Sequence, residues 1–155
     1  MSFQEVPVMD ATNYDALLLE NQLCFPLYAC SREVIKLYRP FLDDLELTYT
    51  QYITLMVIWA EGTVSVRDLG RKLYLDSGTL TPVLKHLETR GIITRRRSTM
   101  DERVLLVTVT EEGMALRDKA VHVPQEMKAC AKLDPEDAAE LHRLLCKLLN
   151  KMEHK

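Results

Sequence analysis

The chain has 155 residues, 47% hydrophobic and 28% charged, enough for one domain with a true core and without the bias of a disordered segment. Its formal net charge is −3, and no apolar run approaches the ~20 residues of a membrane span. Residues 1–13 are polar and lack the basic start and apolar core of a secretory signal. Cysteines at 24, 30, 130 and 146 form no CxxC pair and have no histidines at zinc spacing. They read as free thiols in a reducing cytoplasm, with neither a metal nor a disulfide framework. Charge is unevenly spread: residues 62–103 hold nine Lys/Arg against five Asp/Glu, a local +4, which leaves −7 on the remainder. A basic module in an acidic scaffold fits a nucleic-acid binder that avoids indiscriminate sticking.

In chain order, residues 1–14 read as a loose arm. From Asp15 onward, Leu23, Leu27, Cys30, Val34, Leu37 and Phe41 recur at helical spacing. Pro26 fits only a first turn or a kink, which starts a helix around Leu23–Phe25, and Pro40 is expected to end or bend it. Thr48 or Thr50 caps a second helix, apolar on nearly every face as a buried helix should be, and Gly62 stops it. Ser65 with Asp68 caps a short helix to about Leu73, and Tyr74-Leu75 makes a turn. Asp76 or Ser77 caps the next helix, whose apolar side is Leu80, Val83, Leu84 and Leu87, and Gly91 closes it. Pro82 lies about six positions past Asp76, too deep for a free first turn. Either that turn is irregular or the helix begins nearer Thr79.

Ile92–Arg96 and Arg103–Val109 are β-branched runs joined by a hairpin-type RSTMDE connection. Thr110, followed by Glu111 and Glu112, caps a helix that runs towards His122 and is interrupted at Pro124. A last helix starts at Leu133-Asp134-Pro135-Glu136 and carries Leu141, Leu144, Leu145, Leu148 and Leu149 on one stripe. The end helices hold more apolar surface than a small helix–ribbon module can cover. That surplus predicts packing against a second copy of the chain.

Opposite its apolar side, the helix after Asp76 presents Gly78, Pro82, Lys85 and Thr89, flanked by Ser77, Thr79, Thr81 and His86. Small residues at the front allow close approach to a groove, hydroxyls can reach bases or phosphates, and Lys85 can neutralise a phosphate. Alone, this is also what an ordinary solvated helix face looks like. The hairpin shifts the balance, because Arg95, Arg96, Arg97 and Arg103 crowd one ribbon, where repulsion needs a compensating anion. A two-stranded basic ribbon has the width to reach a minor groove, where arginine is electrostatically favoured. Asp101 is expected to orient Arg103, two residues on, as a bidentate pair. Arg97 joins Arg95 and Arg103 on the side expected to meet DNA.

With these residues placed, the sequence resembles the MarR-type winged-helix regulators, through D-x-R at Asp101–Arg103 and T-x-x-G at Thr110–Gly113. The resemblance covers the chain after residue 15 and is closest to the organic-hydroperoxide-sensing (OhrR-type) branch. It is carried by LCFPLYACSRE (23–33), LTYTQY (47–52) and LYLDSGTLTPVLKHLE (73–88). It implies a mainly α fold with a small β-wing, in which residues 48–110 form a winged helix-turn-helix. Helices in 15–47 and 111–155 would intertwine in a homodimer on an inverted-repeat operator of double-stranded DNA. It also implies base or backbone contacts from Asp76, Ser77 and Thr79, and Arg103 in the minor groove.

Cys24 is the candidate switch. It lies at an expected helix start, where the backbone favours a thiolate, the form that reacts with peroxide. Tyr28 is one turn along, and Tyr38 and Tyr49 follow; phenol hydroxyls can donate to a thiolate without neutralising it. By itself, a cysteine on an apolar helix is most simply a packing residue. The resemblance implies otherwise, placing a peroxide-sensing cysteine at Cys24 and its hydrogen-bonding tyrosines, across the dimer, at Tyr38 and Tyr49. It also puts Cys130 in roughly the position that two-cysteine members use to resolve the oxidised sulfur, where one-cysteine members use a small thiol. Cys30 and Cys146 lie on apolar stripes and read as core. Cys24 and Cys30, six residues and ~9 Å of rise apart on different faces, cannot bridge. Apolar neighbours Leu23, Phe25 and Leu27 suit bulky organic peroxides.

The expected function is therefore a transcriptional repressor, without cofactor, that releases its operator when an organic hydroperoxide oxidises Cys24. A second reading in the same fold is a regulator of a small aromatic or phenolic effector, with Cys24 structural. An enzyme is not expected: thiol peroxidases resemble P-x-x-x-T-x-x-C, whereas Leu17 and Asn21 occupy those positions here. A purely structural helical domain has no use for the arginine-rich ribbon.

Overall fold

A computed structural model describes residues 14–153. The expected N-terminal arm, apart from Tyr14, lies outside the described residues. Two 3-10 turns, Tyr14–Leu17 and Leu19–Asn21, lead into helix α1, Cys24–Asp43. Pro26 falls in the first turn of α1, where its missing N–H has no helical partner to lose. Pro40 does not end the helix, which runs on to Asp43. Burial of Leu42, Leu45 and Leu47 just behind it offsets the ~3 kcal/mol that an interior proline costs.

Helix α2, Tyr49–Glu61, opens on a reciprocal cap: the Gln51 N–H donates to the Thr48 hydroxyl while the Thr48 N–H donates to Gln51 Oε1 at 2.8 Å. Gly62, at φ +69°, ends it. As expected, α2 is largely buried: Tyr52, Leu55 and Ile58 lie in the core, Ile53, Val57 and Trp59 pack partly buried against it, and Met56 is exposed. Strand β1, Thr63–Ser65, carries no sequence signal of its own. Three residues are too few for a period, and pairing of Val64 with Val107 makes it a strand.

Helix α3, Val66–Leu73, is capped by the Ser65 hydroxyl, which accepts the Asp68 N–H at 3.0 Å. The turn into helix α4, Ser77–Thr89, closes on Gly70, where a Cβ would stand 2.8 Å from the Leu75 carbonyl. Strands β2, Ile93–Arg97, and β3, Leu105–Val109, form the hairpin, and the antiparallel sheet runs β1-β3-β2. Helix α5, Glu111–Ala120, starts at the Thr110 cap, and its Gly113 packs under the sheet: a Cβ there would meet the Ile92 carbonyl at 2.2 Å. The Gly113 carbonyl also accepts the Trp59 indole N–H at 2.8 Å, so T-x-x-G is a packing signature. Pro124 does not simply interrupt this helix; it sits in the first turn of a new one, α6, Val123–Ala131, which packs along α1. Helix α7, Pro135–Glu153, closes the chain.

One core joins Leu55, Ile58, Leu69, Leu80, Leu84, Leu87, Ile93 and Val107 to Leu42, Ala120 and Val123. It thus seats the winged unit on the inner ends of α1 and α6. Helix α7 stands apart: none of its described side chains is buried. Its Leu141, Leu144 and Leu149 are exposed, as are Leu23, Leu27, Val34 and Leu37 on the outer side of α1. Among the described residues, no helix is long and apolar enough to cross a membrane.

Candidate DNA-reading surface and thiol site

The recognition helix begins at Ser77, so the irregularity expected around Pro82 does not delay it. Asp76 Oδ1 accepts the Thr79 N–H at 2.8 Å, and Oδ2 accepts the Thr79 hydroxyl at 3.2 Å. The first of these bonds is the main reason the Asp76 carboxyl sits below the ordinary carboxylate range. The Thr81 hydroxyl donates to the Ser77 carbonyl at 2.6 Å, tying the first turn together ahead of Pro82. At the far end, the Gly91 N–H donates to Glu88 O at 2.9 Å and the Ile92 N–H to Leu87 O at 3.0 Å, a Schellman closure around Gly91 at φ +73°.

Gly78, Pro82, Lys85 and Thr89 are all exposed along one face of α4. The flanking residues part company. Ser77 lines a depression with Arg67 and Arg71 of α3. His86 turns the other way, into a shallow groove of about 490 Å³ with Asp43, Glu46 and Gln51 at the α1–α2 corner.

The four hairpin arginines divide into two pairs. Arg95 lies on the core side of β2, opposite Val107, and clamps the recognition helix. Its Nη2 and Nε donate to Glu88 Oε2 at 2.6 and 3.0 Å, and its backbone N–H donates to Glu88 Oε1 at 3.1 Å. The Arg95 bonds hold the Glu88 carboxyl below its ordinary range. Arg97 donates from Nη1 to the Glu102 carbonyl at 2.7 Å, bracing the hairpin loop. Arg95 and Arg97, both expected to serve DNA, are thus also anchored within the fold, Arg95 on Glu88 and Arg97 on the Glu102 carbonyl. Arg96, on the opposite face of the ribbon, and Arg103 have no side-chain partner among the described residues and are exposed. The Asp101–Arg103 pair is also revised. Asp101 Oδ1 accepts the backbone N–H of Arg103 at 2.9 Å, so it shapes the turn while the guanidinium stays free. Arg103 borders an open groove of about 1040 Å³ shared with Arg67 and Arg71. Arg67, exposed and within the field of Asp68, carries no motif signal of its own; only the fold sets it in the same groove as Arg103.

Cys24 is the first residue of α1 and is exposed. Tyr28, one turn on, accepts a hydrogen bond from Arg32 Nη1 at 2.7 Å. The Tyr38 and Tyr49 rings pack with centroids 5.0 Å apart, tilted by 57°, and the Tyr52 ring lies 6.0 Å from that of Tyr38. Burial, with a smaller contribution from Tyr49, pushes the Tyr38 phenol above its ordinary value; burial does the same for Tyr49. Both therefore stay protonated and remain hydrogen-bond donors. Fourteen residues of α1 separate Cys24 from Tyr38, a rise of ~21 Å, so one chain does not bring the thiol to these tyrosines. Cys130 is exposed on α6. Cys30 and Cys146 are exposed too, so the expectation that they are core is corrected: their apolar neighbours lie on faces that this chain does not cover. The Cys146 sulfur lies 3.7 Å from His142 Nε2.

A capped reading helix followed by an antiparallel wing with free arginines defines a winged helix-turn-helix DNA-binding protein. Residues 36–120 match the transcriptional regulator SarA/Rot family, and the chain belongs to that family of MarR-like regulators. It is 48% identical to the organic hydroperoxide resistance transcriptional regulator of Bacillus subtilis (strain 168), over 92% of this chain and 97% of that one. Reduced AbfR bound to DNA, from Staphylococcus epidermidis, superposes with a TM-score of 0.73 at 33% identity, covering 90% of this chain and 95% of its own. A MarR cysteine mutant of E. coli with operator DNA shares the fold, with a TM-score of 0.77 at 24% identity over 91% and 99% of the two chains.

Proposed function

We propose that this transcriptional regulator is a homodimeric repressor that senses organic hydroperoxides through Cys24 and then releases an inverted-repeat operator. The observation that carries the reading is the separation of an exposed helix-start thiol from a half-buried Tyr38–Tyr49 pair, in a chain nearly half identical to a hydroperoxide-resistance regulator. A second copy, laid across the exposed apolar faces of α1 and α7, supplies the missing half of the site: the thiol of one chain beside the tyrosines of the other. The segments 15–47 and 111–155 then serve dimerisation, and 48–110 reads DNA.

In the chemical step, the Cys24 thiolate attacks the terminal oxygen of ROOH. The S–O bond forms as the O–O bond breaks, sulfur loses two electrons, and the alkoxide leaves as ROH after taking a proton. Phenol donors of Tyr38 and Tyr49 hold the thiolate before reaction and are displaced by the larger sulfenate. A thiol, either Cys130 of the second copy or a small thiol, then attacks the sulfenic sulfur, forming a disulfide and releasing water. On DNA, Asp76, Ser77, Thr79 and Thr81 meet the major groove, Lys85 and Arg67 neutralise phosphates, and Arg96 and Arg103 reach the minor groove.

The test is operator binding in a mobility shift with and without cumene hydroperoxide. Wild type should release, and Cys24→Ser should bind equally well and not release; release by the serine variant sinks the cysteine switch and favours an effector-type regulator.

A further inference from the structure

One clamp belongs to neither the DNA face nor the thiol site. Arg90 is the C-cap of α4, its N–H donating to the His86 carbonyl at 3.1 Å. Its guanidinium reaches across to the α1–α2 corner: Nη1 donates to the Glu46 carbonyl at 2.6 Å, and Nη2 to Glu46 Oε2 at 3.1 Å and the Leu45 carbonyl at 3.4 Å. The Arg90 side chain is only 24% exposed, whereas that of Glu46 is 82% exposed; of the three contacts, the one to the Leu45 carbonyl is part-buried. The corner itself is tight. The Leu45 and Leu47 N–H groups both donate to the Leu42 carbonyl, and Glu46 is held at φ +53°, a left-handed conformation that a glutamate adopts at a cost. Immediately beyond it, Thr48 caps α2 and Tyr49 is the first helical residue, its ring packed against that of Tyr38.

We infer that Arg90 is a positioning strut that transmits the oxidation state of the thiol site to the recognition helix; the inference rests on the peroxide reading above. Displacing Tyr49 from a sulfenate displaces the start of α2, and with it the corner. Leucine contacts between the corner and α4 are non-directional and can slide. A planar fork fixed on two backbone carbonyls cannot. Arg90 therefore drags the C-terminal end of α4 with the corner and tilts Lys85 and Thr89 out of register with the groove. Glu46, held at a costly φ at the bend, is the point at which the corner can yield when Tyr49 moves.

The experiment compares operator affinity before and after cumene hydroperoxide in wild type, Arg90→Met, Arg90→Lys and Glu46→Ala, with sulfenate at Cys24 measured by mass after dimedone trapping. All four should fold, take up the label equally, and bind operator in the reduced state within about twofold of one another, as for substitutions outside the interface. Oxidation should weaken wild type by about 5–150-fold, the usual span of an allosteric coupling. Glu46→Ala keeps both carbonyl acceptors and most of that release; Arg90→Lys, with a single ammonium, and Arg90→Met should lose most of it and stay bound although labelled. Full release by labelled Arg90→Lys and Arg90→Met overturns the strut and leaves the peroxide reading standing. Wild type that is labelled yet stays on its operator overturns both.

Discussion

The winged unit and the end helices were built under different rules. In the winged unit, Leu69, Leu80, Leu84 and Leu87 are buried, every helix start is capped by a side chain, and two of four hairpin arginines are spent holding the ribbon against α4 and its own loop. At the ends, none of the described side chains of α7 is buried, and α1 turns Leu23, Leu27 and Val34 outward, with its N-cap Leu23 making no side-chain hydrogen bond. The first region buries its apolar surface within one chain; the second leaves apolar faces uncovered, and these are the faces the proposed second copy would cover. On the proposed dimer, oxidation would change the frame and move the reader without altering its DNA face.

The sharpest way to break this contrast is to hollow each region in turn. Leu84→Ala should destabilise the winged unit by about 2–5 kcal/mol and abolish DNA binding at any protein concentration, read by thermal melting and mobility shift. Gly113→Ala should cost about 1–3 kcal/mol, because the methyl must displace the Ile92 carbonyl. Leu144→Asp on α7 should leave the winged unit folded but shift sedimentation from dimer to monomer and weaken operator binding at low concentration. A folded dimer from that variant would show that α7 is not an assembly face. Glu88→Gln should loosen the wing, seen as faster exchange of the Arg95 amide. The sign with pH follows from the lowered Glu88 value: the clamp contributes fully above the ordinary 4.5 and weakens only as pH falls through the lower folded value. The smallest effect on stability should come from Arg96→Ala, within about 0.5 kcal/mol, while the salt slope of operator binding falls by about one.

Local chemistry was legible in the sequence. Thr48, Ser65, Asp76 and Thr110 cap helices because each side chain reaches an N–H three residues on, a distance set by the backbone alone. What depended on long-range contact was not. Strand β1 exists because β3 pairs with it, and Pro40 and Pro82 are held inside helices by packing that no propensity records. Charge alone could not divide the arginines, since Arg95 finds Glu88 across the fold while Arg96, next in sequence, faces solvent. The same limit applies to Cys30 and Cys146, whose apolar neighbours suggested a core that a single chain does not provide.

The central claim is that the sensor is shared between two chains, and mixed dimers test it most directly. One chain carries Cys24→Ser and the other Tyr38→Phe with Tyr49→Phe; the rate of sulfenate formation is followed by mass. If the thiol of one chain meets the tyrosines of the other, each mixed dimer holds one intact site and its single Cys24 should react at the wild-type rate. Reaction no faster than in the homodimer of the doubly substituted phenylalanine chain would contradict the shared site.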